Sequence, residues 1–230
     1  MSTRVGVVVF PGTNCEHDVV TAMERAGATA SLLWHTEERL EGFDAVVLPG
    51  GFAHGDYLRP GAIARFSPVM DAVARFASAG GPVLGICNGF QVLTEAGLLP
   101  GALVKNRGLR FLCAPARLQV ASARSVLTDG VEPGAELQVP VNHFSGSYVC
   151  DERTLAELRD TDSVVLRYAE NPNGSIDDIA GITNAGGNVV GIMPHPERAS
   201  DELIGCSDGL VLLRAMVAAV AGMRARVSAA

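Results

Sequence analysis

Short apolar runs recur through the first half of the chain, at residues 5–10, 30–34, 44–48 and 82–86, with helix-like stretches between them. Runs this short, bounded by Gly, Pro or Asp, read as strands buried on both faces rather than as helices. Strands that alternate with helices predict an α/β fold: an open, largely parallel sheet with helices on both faces. The middle of the chain has another pattern. Residues 111–120, 136–141 and 163–168 are strand-like without intervening helices of good period, which predicts antiparallel strand additions there. Residues 208–220 read as an amphipathic helix that Arg214 interrupts and that is too short to span a bilayer. With no linker-like tract, internal repeat or composition break, residues 1–230 are expected to form a single domain.

The strand candidate at 82–86 runs into Gly85-Ile86-Cys87-Asn88-Gly89, and a helix candidate, 90–96, follows and ends at Gly97. This is the cysteine version of the Gly-x-Ser-x-Gly elbow, in which small flanking residues permit a sharp strand-to-helix turn. The positive end of the following helix favours a thiolate at Cys87. Taken alone, the motif fits a packing cysteine as well as a nucleophile.

A second cluster, Pro194-His195-Pro196-Glu197, follows another strand candidate at 188–190. Prolines on both sides restrict the backbone of His195, so its ring can be aimed, and Glu197 two residues on can fix its tautomer. Cysteine, histidine and carboxylate together make a nucleophilic triad. The alternative for Pro-His-Pro-Glu is a rigid surface turn with a solvated histidine. A third cluster, Pro49-Gly50-Gly51-Phe52, also follows a strand. Paired glycines free backbone amides to face a developing oxyanion, and the usual second donor is the amide after the nucleophile, here Asn88. Gly-Gly by itself is more often a plain turn.

Composition narrows the function class. The chain has 230 residues, 48% of them hydrophobic and 19% charged, and a net charge of −7, which argues against a nucleic-acid surface. Its one basic cluster, Lys105 to Arg110, reads as a solvated loop or a partner contact. Five cysteines without paired spacing indicate neither a disulfide framework nor a zinc site. Cys15 reads as a packed thiol, with a second reactive thiol as the alternative. His17, His35 and His54 are scattered, and none has a ligand-like neighbour that suggests a metal. No signal peptide is visible, because the first apolar run is short and meets Pro11-Gly12, so a soluble, cytoplasmic protein is expected. No Walker-type phosphate loop is present, and no cofactor is expected.

These motifs resemble the class I, triad-type glutamine amidotransferases, and among them the glutaminase subunits of phosphoribosylformylglycinamidine synthase. The resemblance spans nearly the whole chain. It is carried by Phe10-Pro11-Gly12-Thr13-Asn14-Cys15-Glu16-His17-Asp18, Pro49-Gly50-Gly51-Phe52, Gly55-Asp56-Tyr57-Leu58-Arg59, Cys87-Asn88-Gly89-Phe90-Gln91, Asn171-Pro172-Asn173-Gly174-Ser175 and Pro194-His195-Pro196-Glu197-Arg198. It implies Cys87 as nucleophile, His195 as base, Glu197 as its orienting carboxylate, Gly51 and Asn88 as oxyanion donors, and Gln91 and His143 in the glutamine pocket. It also implies L-glutamine as substrate, a large ATP-dependent synthetase as partner, and a small bridging protein between the two. Their common product would be formylglycinamidine ribonucleotide, made from formylglycinamide ribonucleotide in purine (IMP) biosynthesis. Two departures stand out: Asn142-His143-Phe144-Ser145-Gly146 replaces the family's Ala-His-Gly-Glu-Gly, and Ala53-His54 replaces Ser-Tyr. The rival readings are a glutaminase subunit of another synthetase, a cysteine hydrolase of similar fold, and a non-catalytic module that docks to a synthetase and regulates it.

Overall fold

The computed structural model describes residues 2–229, with side chains described to residue 226. Its main sheet has nine strands. Five lie side by side in the parallel half: β2 (Thr29–Trp34), β1 (Arg4–Val9), β3 (Ala45–Leu48), β4 (Val83–Ile86) and β11 (Val189–Ile192). The sheet continues antiparallel through β10 (Ile179–Thr183), β9 (Val164–Tyr168), β6 (Leu112–Val120) and β7 (Glu136–His143). A separate hairpin-like pair joins β5 (Ala102–Lys105) to β8 (Ser145–Val149).

Burial follows this division. Every residue of β3, β4 and β11 is buried, as expected for central parallel strands covered on both sides, whereas β6 and β7 alternate buried and exposed positions. Strand order supplies the two-sided cover. The chain passes from β1 through α1 (Glu16–Arg25) to β2 in one direction, and from β3 through α2 (Pro68–Ser78) to β4 in the other. Right-handed crossovers in opposite directions put the two helices on opposite faces. The reversal beside β1 opens a crevice at the carboxyl ends of the parallel strands, where ligands bind in such sheets.

The expected layout therefore holds, with local differences. Helix α3 spans Asn88–Glu95, starting directly after Cys87, and α5 runs from Gly209 to Ala229, longer than the pattern indicated. The middle of the chain does contain a helix, α4 (Glu152–Asp160), capped by the Asp151 carboxylate on the Thr154 amide at 2.7 Å. Only Leu158 of α4 is buried, so its apolar period is too faint to read from sequence. Strand β10 is just as hard to read; Gly181 and Thr183 blur its hydrophobic pattern although it is wholly buried.

Candidate active site

Four segments meet at the crevice because four neighbouring parallel strands, β1, β3, β4 and β11, end there. After β4, Cys87 adopts φ 51°, ψ −105°, a left-handed conformation that costs a non-glycine residue about 1–3 kcal/mol. The surroundings impose it: the Cys87 amide donates to Ile192 O at 2.8 Å, and its carbonyl accepts from the Gln91 amide at 3.2 Å. Gly89 makes the turn possible by close approach, since a Cβ there would stand 1.9 Å from Leu48 O. Cys87 is buried, and its Sγ lies 3.8 Å from Asn142 O.

Beyond β11, the His195 amide is tied to Pro140 O at 2.8 Å, and the short turn Pro196–Ala199 brings Glu197 back beneath the ring. Nδ1 of His195 meets Oε1 of Glu197 at 2.6 Å, with both side chains buried. Burial alone would push the imidazole down. The charges of Glu197 and Cys87, helped by hydrogen bonding to the Cys15 and Cys87 sulfurs, overcome this and hold it well above the ordinary histidine value. Nε2 of His195 is buried without a protein partner. A ring held at Nδ1 by a carboxylate, with Nε2 free and a thiol acting on it, is arranged to take that thiol's proton.

The glycine turn after β3 packs against the same ring. A Cβ on Gly50 would stand 2.7 Å from Cε1 of His195 and 3.2 Å from Cys15 Sγ, so only glycine admits both neighbours. Gly51 is held at φ 146° opposite Thr13. Neither the Gly51 amide nor that of Asn88, the first residue of α3, donates to a protein carbonyl among the described residues. Two free amides at strand and helix ends suit an oxyanion. The Asn88 side chain links them: Oδ1 accepts from the Ala53 amide at 2.9 Å, while Nδ2 donates to Gln91 Oε1 at 2.8 Å and to Asp56 Oδ1 at 3.1 Å.

Cys87, His195, Gly51, Cys15 and Asp56 line a cavity of about 520 Å³ together with Gln91, Asn142, His143, Phe144 and Ser145. Gln91 sits in the wall with its carboxamide already engaged, Oε1 by Asn88 and Nε2 by Ser145 O. His143 is fixed more firmly. Asn106 donates through Nδ2 to the carbonyls of Arg110 and His143, both at 2.9 Å, so its Oδ1 can only accept. That oxygen lies 3.0 Å from Nδ1 of His143, which must therefore carry the proton, and Nε2 is left as a buried acceptor without a partner. Burial first, and then the nearby charge of His195, push His143 down to about 4. Unfolded chain takes up this proton before folded chain does, so stability is expected to drop as pH falls from about 6.5 to 4, by up to about 3 kcal/mol. Thermal unfolding of His143→Asn across that range should show a shallower fall than the parent; parallel curves would refute the assignment.

Three expectations change. Cys15, read as a packed thiol, lines the cavity; Sγ accepts from Arg198 Nη2 at 3.1 Å and lies 3.3 Å from Asn14 Oδ1. The stretch from Lys105 to Arg110 is not simply a solvated loop, because Asn106 within it is buried and anchors His143. His35 and His54 are not scattered but meet edge to face, 5.5 Å between centroids. As to metals, ligand atoms of Cys15, His195 and Glu197 converge within 4.8 Å, but the His195 nitrogen and Glu197 oxygen nearest each other are already paired, and the Cys15 sulfur is engaged by Arg198 and Asn14.

Comparison with known proteins agrees with this geometry. A family described as the CobB/CobQ-like glutamine amidotransferase domain matches residues 2–205. Phosphoribosylformylglycinamidine synthase subunit PurQ of Rubrobacter xylanophilus is 60% identical over 94% of this chain and 98% of its own length. The PurQ subunit of Koribacter versatilis is 53% identical over 95% and 99%. Among solved structures, a chain of PurLQS from Thermotoga maritima is similar at 41% identity, with a TM-score of 0.88 over 95% of this chain and 99% of that one. A protein from Thermoplasma acidophilum described as a GMP synthase component, 17% identical with a TM-score of 0.68 over 99% and 98%, shares the fold. With a glutamine amidotransferase profile over most of its length and PurQ relatives at more than half identity, the chain belongs to the PurQ family of glutamine amidotransferase domains.

Proposed function

We propose that the chain is the glutaminase component of phosphoribosylformylglycinamidine synthase, with residues 1–230 acting as one glutaminase domain. The observation that carries the reading is the buried His195–Glu197 pair at 2.6 Å acting on Cys87 at the floor of a cavity. In this mechanism Cys87 gives its proton to His195 as Sγ bonds to the carboxamide carbon of glutamine. The carbonyl oxygen becomes an oxyanion opposite the Gly51 and Asn88 amides. His195 returns the proton to the nitrogen, the C–N bond breaks, and ammonia leaves a thioester on Cys87. Water then attacks the thioester, His195 takes its proton and passes it to the departing sulfur, and glutamate is released. Gln91 and His143 form the walls that hold the substrate.

Ammonia released to water is protonated and loses its nucleophilicity, so a partner must receive it under cover. The relatives carry the name of a synthase subunit, and the solved PurLQS assembly supports a large, ATP-dependent synthetase in that role, with a small third protein beside it. We infer a cytoplasmic site of action from the same pathway; among the described residues no helix is long and apolar enough to cross a membrane. The test is glutamate release by the purified chain, alone and with the synthetase, formylglycinamide ribonucleotide and ATP. Stimulation on the order of 5- to 150-fold by the full mixture is expected, the usual size of coupling between sites. Silence in every mixture would sink the reading, and stimulation by a different synthetase and acceptor would redirect it.

A further inference from the structure

The run from Gly55 to Arg59 has no part in the triad, yet it is the most strained segment of the cavity wall. His54, Asp56 and Leu58 have φ values of 52°, 52° and 69°, a left-handed region that non-glycine residues enter only when their surroundings force them. The surroundings are visible. Arg59 grips Glu95 of α3 through two bonds of 2.6 and 2.7 Å, the His54 amide donates to Pro11 O, and Asn88 Nδ2 donates to Asp56 Oδ1 at 3.1 Å. The effect of this folding is to put Asp56 on the wall of the cavity that Cys87 also lines, bonded to Asn88, the residue after the nucleophile candidate.

Among the charged residues that line the cavity, Arg59 is spent on Glu95. One anion and one cation remain, Asp56 and Lys105, and neither has an oppositely charged partner among the described residues. Among the described residues no protein donor other than Asn88 reaches the Asp56 carboxylate, and burial pushes it up to about 6 despite that bond. A half-buried carboxylate left short of donors is suited to a cationic ligand. The amino-acid end of glutamine is a zwitterion with an ammonium group, and the cavity offers one uncommitted group of each sign.

We propose that Asp56 binds the α-ammonium group of the amino-acid substrate. The assignment rests on the glutaminase reading above. Because Asn88 bonds Asp56 with its side chain and carries the free amide proposed for the oxyanion, one residue couples the groups that meet the two ends of the substrate.

The test compares Asp56→Asn with the parent, each in complex with the synthetase, on glutamine and on 4-carbamoylbutanoate, which lacks only the α-amino group. Asparagine keeps an acceptor for Asn88, so the network behind the oxyanion site survives. Ammonia release from glutamine should fall about 10- to 100-fold in kcat/KM, chiefly through KM, the scale of one charge-assisted hydrogen bond. The parent should handle the deaminated substrate about as poorly as the variant does. Where that turnover is too slow to time, its inhibition constant against glutamine supplies the same comparison. Equal loss on both compounds would make Asp56 a structural support and overturn the proposal, as would unchanged kinetics on glutamine. A parent complex that releases no ammonia from glutamine would instead overturn the glutaminase reading, and this assignment with it.

Discussion

Cys87→Ala is expected to abolish glutamine-dependent synthesis by the assembled enzyme, by about 10³-fold or more, while synthesis from added ammonium salt continues at the parent rate. The magnitude follows from removing the atom that, in the proposed mechanism, bonds to the substrate; deleting a nucleophile in a comparable triad costs on the order of 10⁶ in kcat. The selectivity follows from the division of labour, since the thiol is needed to make ammonia and not to use it. Alanine suits the site structurally. The residue adopts φ 51° because its amide is held by Ile192 and its carbonyl by Gln91, and those backbone bonds do not depend on the sulfur. Side-by-side assays with glutamine and with ammonium decide the matter. Loss of both activities would make Cys87 a structural residue, and retention of both would move the nucleophile elsewhere, with Cys15 the next thiol on the same cavity.

Glu197→Gln is expected to lower glutamine hydrolysis by about 10³- to 10⁴-fold with little effect on folding, the scale seen when the orienting carboxylate of a serine triad becomes an amide. In the parent, Nδ1–H of His195 donates to Glu197 Oε1 at 2.6 Å, which keeps the lone pair on Nε2 available for the thiol proton. Glutamine at 197 can turn its NH₂ toward Nδ1. The imidazole then carries its proton on Nε2, where it can no longer act as a base. The substitution also removes the negative charge that holds the buried imidazole above its ordinary value, so burial would dominate and push the ring down. Proton NMR of the two proteins provides a second readout, because the strongly hydrogen-bonded His195 Nδ1–H signal should vanish with the carboxylate. Activity within about tenfold of the parent would mean that the ring is oriented by other contacts, such as its packing on Gly50.

What could be read before folding was local. The elbow around Cys87 is a strand, a tight turn and a helix within a few residues, so neighbouring glycines and hydrophobic runs announce it. The His195–Glu197 spacing likewise lies within one turn, and the structure closes it at 2.6 Å. Cys15 was harder, because what makes it part of the site is Arg198 and His195, which lie far away in the chain. Asn106 carried no signal either; it looks like one polar residue in a basic loop until β7 and the loop after β5 bring it against His143. Helix α4 escaped because it buries a single leucine.

The sequence by itself determined the alternation of strands and helices, the glycine-flanked cysteine at a strand-to-helix turn, the histidine and carboxylate spaced two residues apart, and the absence of any nucleic-acid-binding charge pattern. Those are consequences of residues within a turn or two of one another, where sterics and periodicity act directly. Only the tertiary structure decided that β11 lies beside β4 and β3 beside β1, so that Cys87, His195, Gly51 and Cys15 share one edge. It also decided that Asn88 bonds Asp56 and that Asn106 sets the tautomer of His143. Strand order is chosen by the packing of the whole core, and side chains from separate strands acquire their charges and hydrogen-bond partners only once that packing removes them from water.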